Sequence, residues 1–143
     1  MKYTLSNTIN KPLAEVIEKL KEEDGVKHWM EGLQKIERIS ETPPEVGALS
    51  EFTFLHKNKE MKIKEEILEQ DLPRQIKFGY TSSMGYNEVE LMFEELADGN
   101  VKQTSNTEFQ LKGFMKIMGV LFKGMFKKQS LKYMTAFKAY VEK

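Results

Sequence analysis

Two titratable side chains stand apart from their surroundings in this chain. Glu65 lies within Met61-Lys62-Ile63-Lys64-Glu65-Glu66-Ile67, and His56 closes Phe52-Thr53-Phe54-Leu55-His56. Residues two apart share a face of a strand, so Glu65 falls with Met61, Ile63 and Ile67, and His56 with Phe52 and Phe54. A carboxyl among apolar neighbours has a raised pKa and a neutral imidazole accepts a proton, which makes these two the weak candidates for acid–base work. They do not form a dyad. Across the Lys57-Asn58-Lys59 turn the partner of His56 lies near Glu60, and Glu65 is several residues further on, at about 3.3 Å each. His56, near a turn, also fits a solvated strand end; His28, beside Trp29, fits a capping or packed loop residue with no catalytic role. The chain has no Cys and no assembled Ser-His-Asp pattern, and its two His lack a matching carboxylate spacing. Nucleophilic catalysis and a metal site therefore have no support, and no cofactor is called for.

A second group is polar without being charged. Gln103, Ser105 and Thr107 occupy three successive positions on the strand face that carries Val101, Phe109 and Leu111, and Gln129 interrupts an apolar helical stripe. Each such group costs about 1–3 kcal/mol if buried without a partner. Three arrangements relieve that cost: a cavity holding water or a ligand's polar end, pairing among these side chains, or a β-bulge that reverses parity. The apolar companions are Phe52, Phe54, Ile63, Ile76, Phe78, Tyr80, Leu91 and Phe93 on strands, with Met118, Phe122, Met125 and Tyr133 on the helix. Each reads either as core filling or as a ligand contact.

These side chains must be placed by secondary structure, and the periodicity is clear. Alternation of Tyr3, Leu5 and Ile9 predicts a strand over 2–9. Asn10 as cap, Pro12, and Leu13, Val16, Ile17 and Leu20 at helical spacing predict a helix reaching Gly25, with a shorter one over Val26–Glu31. Strands follow near 33–41, 48–57, 60–70, 74–81, 86–96 and 101–112. They are separated by the Pro43-Pro44 loop, Lys57-Asn58-Lys59, Asp71-Leu72-Pro73, Ser82 to Gly85, and Asp98-Gly99, which predicts a two-residue hairpin. Beyond Gly113 a helix of about 45 Å is expected, with Gly119 and Gly124 bending or fraying its first third. Its apolar stripe is predicted to be Phe114, Met118, Phe122, Met125, Gln129, Tyr133, Ala136 and Tyr140. The result is an α+β layout in which the long helix crosses a curved antiparallel meander.

The order β-α-α-β6-α resembles the helix-grip fold of the START-like (SRPBCC) superfamily. That group includes Bet v 1-like proteins, polyketide cyclase/dehydrase-like proteins and quinone-binding Coq10-like proteins. Thr8-Ile9-Asn10-Lys11-Pro12-Leu13-Ala14-Glu15-Val16 resembles its first strand turning into a helix through a proline. Trp29 with Ile36-Glu37-Arg38, Val46-Gly47, and Leu72-Pro73-Arg74-Gln75-Ile76 resemble its later landmarks, so the likeness covers nearly the whole chain. The resemblance implies one START-like domain over 1–143, a seven-stranded sheet wrapped around the C-terminal helix, and a cavity for a hydrophobic ligand between them.

Composition limits the function further. At 143 residues, with 40% apolar and 31% charged side chains, the chain is long and apolar enough for a core. Equal counts of 22 basic and 22 acidic residues argue against general nucleic-acid binding. The N-terminus shows no secretory pattern, and a cytoplasmic location is expected. The apolar stretch from Gly113 to Phe126 is interrupted by Lys116 and Lys123, too short and too charged to span a bilayer. Charge is unevenly divided: from Lys112 onward eight Lys face a single acid, Glu142. This basic helix either docks peripherally on an anionic membrane through 113–126, or covers the sheet with its apolar side and leaves its lysines in water. The leading expectation is a module that binds a hydrophobic or amphipathic small molecule. The alternatives are a polyketide cyclase-like enzyme using Glu65 or His56, a lipid or quinone carrier at a membrane surface, and a protein-interaction module.

Overall fold

A computed structural model describes residues 1–40 and 45–143. The Pro43-Pro44 loop and the expected end of the second strand at residue 41 lie outside the described residues. Strand β1 (Lys2–Ile9) leads into helix α1 (Leu13–Leu20) and a 3-10 turn (Asp24–His28). Then come β2 (Leu33–Arg38), β3 (Leu49–His56), β4 (Lys59–Asp71), β5 (Gln75–Ser82), β6 (Gly85–Glu95), β7 (Val101–Leu111) and helix α2 (Phe114–Val141). The seven strands form one antiparallel sheet in the order β1-β7-β6-β5-β4-β3-β2, so β2 to β7 are a meander and β1 pairs with its far end. This is the predicted α+β architecture, with boundaries within a few residues for every strand.

Three local features differ from expectation. Helix α1 stops at Leu20 because Lys21-Glu22-Glu23-Asp24 offers no apolar residue to continue its buried face of Val16 and Ile17. Asn10 does not cap it. Pro12 holds the N-cap position in an extended conformation, and its carbonyl accepts from the Glu15 and Val16 amides. The Asp98-Gly99 turn is a three-residue loop over 97–99. The Gly99 N–H donates to Leu96 O, Leu96 N–H donates to Asn100 O, and of this pair only Gly99 takes a positive φ, 87°. The two-residue hairpin is instead Lys57-Asn58, where both residues are left-handed, at φ 50° and 64°, inside the His56↔Lys59 pair.

Gly85 opens β6 at φ 145°, and a Cβ there would sit 2.5 Å from the Gln110 carbonyl oxygen of the neighbouring strand. Backbone cannot yield as a flexible side chain can. Gly85→Ala is expected to cost about 1–3 kcal/mol in urea denaturation. Gly99→Ala, at φ 87° with nothing within 4 Å, should cost about 1 kcal/mol or less. Equal losses would contradict this account.

Among the described residues burial concentrates in three patches, the first and third joined through Leu20, Leu72 and Leu91. Ile9, Val16, Ile17, Phe93, Val101, Phe137 and Val141 form the largest, where α1 and the C-terminal end of α2 meet β1, β6 and β7. Leu33, Phe52 and Phe54 form a second under Val26 and Met30. Ala48, Ile67 and Ile76 form a third, flanked by Leu20, Phe78 and Leu91. Helix α2 runs unbroken for 28 residues, about 42 Å, and packs on β1 and β7 as well as on α1 and the 3-10 turn.

The helix is turned relative to the predicted stripe. Gly119, Met134, Phe137 and Val141 are buried, Phe126 stacks on Phe109 at 4.9 Å, and Ser130 bonds Tyr3. Phe114 and Met125, expected inside, are 72% and 56% exposed, and Gln129 is exposed as well. The physical reason lies in the first half of α2. Phe114, Met115, Ile117, Met118, Val120, Leu121, Phe122, Met125 and Phe126 spread over about two thirds of the helix circumference, so periodicity there does not select which part of that arc meets the sheet. The rotation is set by the second half, through contacts that sequence spacing does not contain.

Candidate functional site

The strand parity assigned to the concave face places Gln103, Ser105 and Thr107 beneath α2, at 2%, 4% and 4% exposure. Cross-strand register sets Tyr3 opposite Thr107, Leu5 opposite Ser105 and Asn7 opposite Gln103, so β1 and β7 together carry a buried polar patch. No bulge interrupts the β1–β7 pairing. Part of the patch is satisfied by α2. The Tyr3 hydroxyl lies 2.6 Å from Ser130 Oγ and donates to Phe126 O at 3.2 Å, and Asn7 Nδ2 donates to Met134 O at 3.3 Å. Among the described residues, Gln103 Oε1, Thr107 Oγ1 and Asn7 Oδ1 are buried without a hydrogen-bond partner, as is Trp29 Nε1. Mutual pairing therefore does not resolve the cost of burying Gln103.

Glu65 stands on the other half of the concave face. Register aligns Ser50, Glu65, Tyr80 and Asn87 in one row across β3, β4, β5 and β6, ending at Phe109 of β7. The Tyr80 hydroxyl donates to Glu65 Oε2 at 2.8 Å. Burial raises the Glu65 carboxyl to about 7, against the opposing effect of the Tyr80 hydrogen bond. Tyr80 is itself pushed well above its ordinary value, first by burial and then by the Glu65 charge. Tyr133 on α2 interacts electrostatically with Tyr80 and is raised by its own burial. Aromatic rings frame the pair, with Phe52 edge-on to Tyr80 at 6.4 Å and Phe78 tilted at 6.0 Å.

Of the residues singled out in the sequence, Phe52, Phe54, Ile76 and Phe93 are buried with the polar three. Ile63, Glu65, Phe78, Tyr80, Leu91, Phe109, Met118, Phe122 and Tyr133 keep intermediate accessibility despite their inward parity. Met125 and Gln129 do not join them. His56 is exposed at the β3–β4 turn, opposite Lys59 rather than Glu60, while Glu65 pairs with Ser50 six positions along β3. The two do not meet. Tyr80 as the partner of Glu65 was not anticipated, nor were Ser50 and Asn87. Both show the signal that marked Gln103: a polar residue at an inward position, here beside Phe52 and Phe54 or beside Val89 and Leu91. Two open depressions of about 320 and 260 Å³ lie on the outer face of the sheet instead, lined by charged residues such as Lys77, Glu88 and Glu90, or Arg74, Glu94 and Lys102.

The crystal structure of Ara h 8.0201 matches with a TM-score of 0.80 at 16% identity, covering 99% of this chain and 97% of that one. The chain has the Bet v 1-like helix-grip fold. The Zhui aromatase/cyclase from Streptomyces sp. R1128 matches this helix-grip chain with a TM-score of 0.82 at 12% identity, over 99% and 93% of the two chains. A conserved protein from Geobacillus kaustophilus matches with 0.80 at 13%, over 99% and 95%. No protein-family model and no curated protein matches the chain by sequence. Among the described residues, no helix of this helix-grip chain is long and apolar enough to cross a membrane.

Proposed function

We propose that the chain binds a hydrophobic or amphipathic small molecule between α2 and the concave face of the sheet. The observation that carries this reading is the set of unpartnered acceptors, Gln103 Oε1, Asn7 Oδ1 and Thr107 Oγ1, on a face otherwise lined by aromatic and aliphatic side chains. A dry, closed core loses about 1–3 kcal/mol for each unsatisfied group, whereas a ligand hydroxyl or amine recovers it. The partial accessibility of Ile63, Phe78, Tyr80, Leu91 and Phe109 supports the same reading, since inward side chains of a filled core would be fully buried.

Native mass spectrometry of the purified protein, followed by extraction and identification of the bound molecule, tests this directly. A companion variant makes the test specific. Gln103→Leu removes an unpartnered acceptor while keeping the side chain's bulk, so thermal stability without ligand should hold or rise slightly. Affinity for the identified molecule should fall about tenfold. Unchanged affinity would remove Gln103 from the site, and a protein that never retains or binds an apolar molecule would end the reading.

A second reading, a cyclase-like enzyme, rests on Glu65 alone. A carboxyl near 7 exchanges protons at neutral pH, and the Tyr80 hydroxyl beside it can steady the charge left behind. Turnover of an identified ligand that Glu65→Gln abolishes, with binding and folding intact, would favour this reading over simple binding. His56→Ala, at an exposed turn, should change neither.

A further inference from the structure

The first half of α2 carries a second apolar face that none of the described residues covers. Phe114, Ile117, Val120, Leu121 and Met125 are between 56% and 79% exposed. At about 100° per residue they point away from the side that buries Gly119 and stacks Phe126 on Phe109. The residues that cover the sheet and the residues left in water are therefore different sets, and both are apolar. Lys116, Lys123 and Lys127 run along one flank of the exposed face, and Lys128 lies beside Leu121 and Met125 on it. Among the described residues, none of these four lysines makes an ion pair; Lys132 and Lys138 do, with Glu31 and Glu142. No acid occurs between Glu108 and Glu142.

We propose that this face of α2 docks on an anionic lipid surface. Large side chains on an intact helix enter the boundary of headgroups and acyl chains without breaking backbone hydrogen bonds, and unpaired lysines alongside meet lipid phosphates. The charge distribution sets the orientation. The rest of the chain holds the balancing acidic excess, which an anionic surface repels, so only the lysine-bearing helix approaches. The same distribution disfavours a second copy as the occupant, because two such faces would bring their lysine rows together with no carboxylate on either. The docking is independent of the ligand reading: it uses the side of α2 opposite the candidate site.

Co-sedimentation with phosphatidylcholine vesicles, with and without one quarter phosphatidylglycerol, tests the proposal. The partition coefficient should be at least about tenfold higher on the anionic vesicles and should fall as salt is raised. Lys123→Glu combined with Lys127→Glu should lower it at least about tenfold, and Leu121→Asp should do the same. These positions are exposed, so thermal midpoints should stay at the wild-type value and the readout is not folding. Equal binding to both vesicle types, no binding to either, or binding that ignores both variants overturns the proposal. So does a concentration-dependent dimer that Leu121→Asp dissolves, which would give the face to a second copy.

Discussion

Glu65→Gln is expected to stabilise the protein by about 3 kcal/mol at about pH 8 and to change little at about pH 4. The sign follows from proton binding. The Glu65 carboxyl is raised from 4.5 to about 7 in the folded state, so between these values the folded protein holds a proton that the unfolded chain has released. Stability from this group therefore falls as pH rises through the window, and above it the folded state carries a desolvated charge. A glutamine keeps an acceptor for the Tyr80 hydroxyl and carries no charge at any pH. Urea midpoints of both proteins across this range give the difference directly, free of the other titrating groups common to both. Parallel curves would show that Glu65 has an ordinary carboxyl in water. If the bound molecule contacts Glu65, its affinity should lose pH dependence between about 5 and 8 in the variant.

The second large effect separates core from candidate site. Phe93 is 4% exposed and packs with Ile9, Val101 and Phe137, so Phe93→Ala should cost about 3–5 kcal/mol and lower the urea midpoint markedly. Phe78 keeps accessible surface beside Tyr80, its ring tilted against the Tyr80 ring at 6.0 Å. Phe78→Ala should cost about half as much and weaken the thermal shift produced by an apolar ligand. Wild-type stability for Phe93→Ala would contradict the packing of β6 against α1 and α2. Equal stability losses, with no change in ligand response for Phe78→Ala, would place Phe78 in the core and outside the site.

The strands and their inward faces were legible in the residues because alternation is a local property. Once Phe52 and Phe54 are inward, hairpins and hydrogen-bond pairing carry parity from strand to strand, and Gln103, Ser105 and Thr107 follow. The inward placement of Glu65 was legible for the same reason, from its place between Ile63 and Ile67. Its partner was not. The Glu65–Tyr80 hydrogen bond depends on the β4–β5 register, in which a shift between Ile67 and Glu69 lets Ile67 face Phe78 while Gln70 faces Ile76. That irregularity leaves no mark on alternation.

What the sequence by itself determined is the order of elements, the α+β class with its antiparallel meander, and the concave parity of nearly every strand residue named for the site. What only the tertiary structure decided is the rotation of α2, which puts Phe126, Ser130, Met134 and Phe137 against the sheet and leaves Phe114, Leu121 and Met125 outside. A strand has two faces and one polar residue tells them apart. A helix apolar over about two thirds of its circumference marks only the lysine flank that must face water; which part of the apolar arc meets the sheet is settled by distant contacts: Tyr3 with Ser130, Asn7 with the Met134 carbonyl, and Trp29 against Phe137.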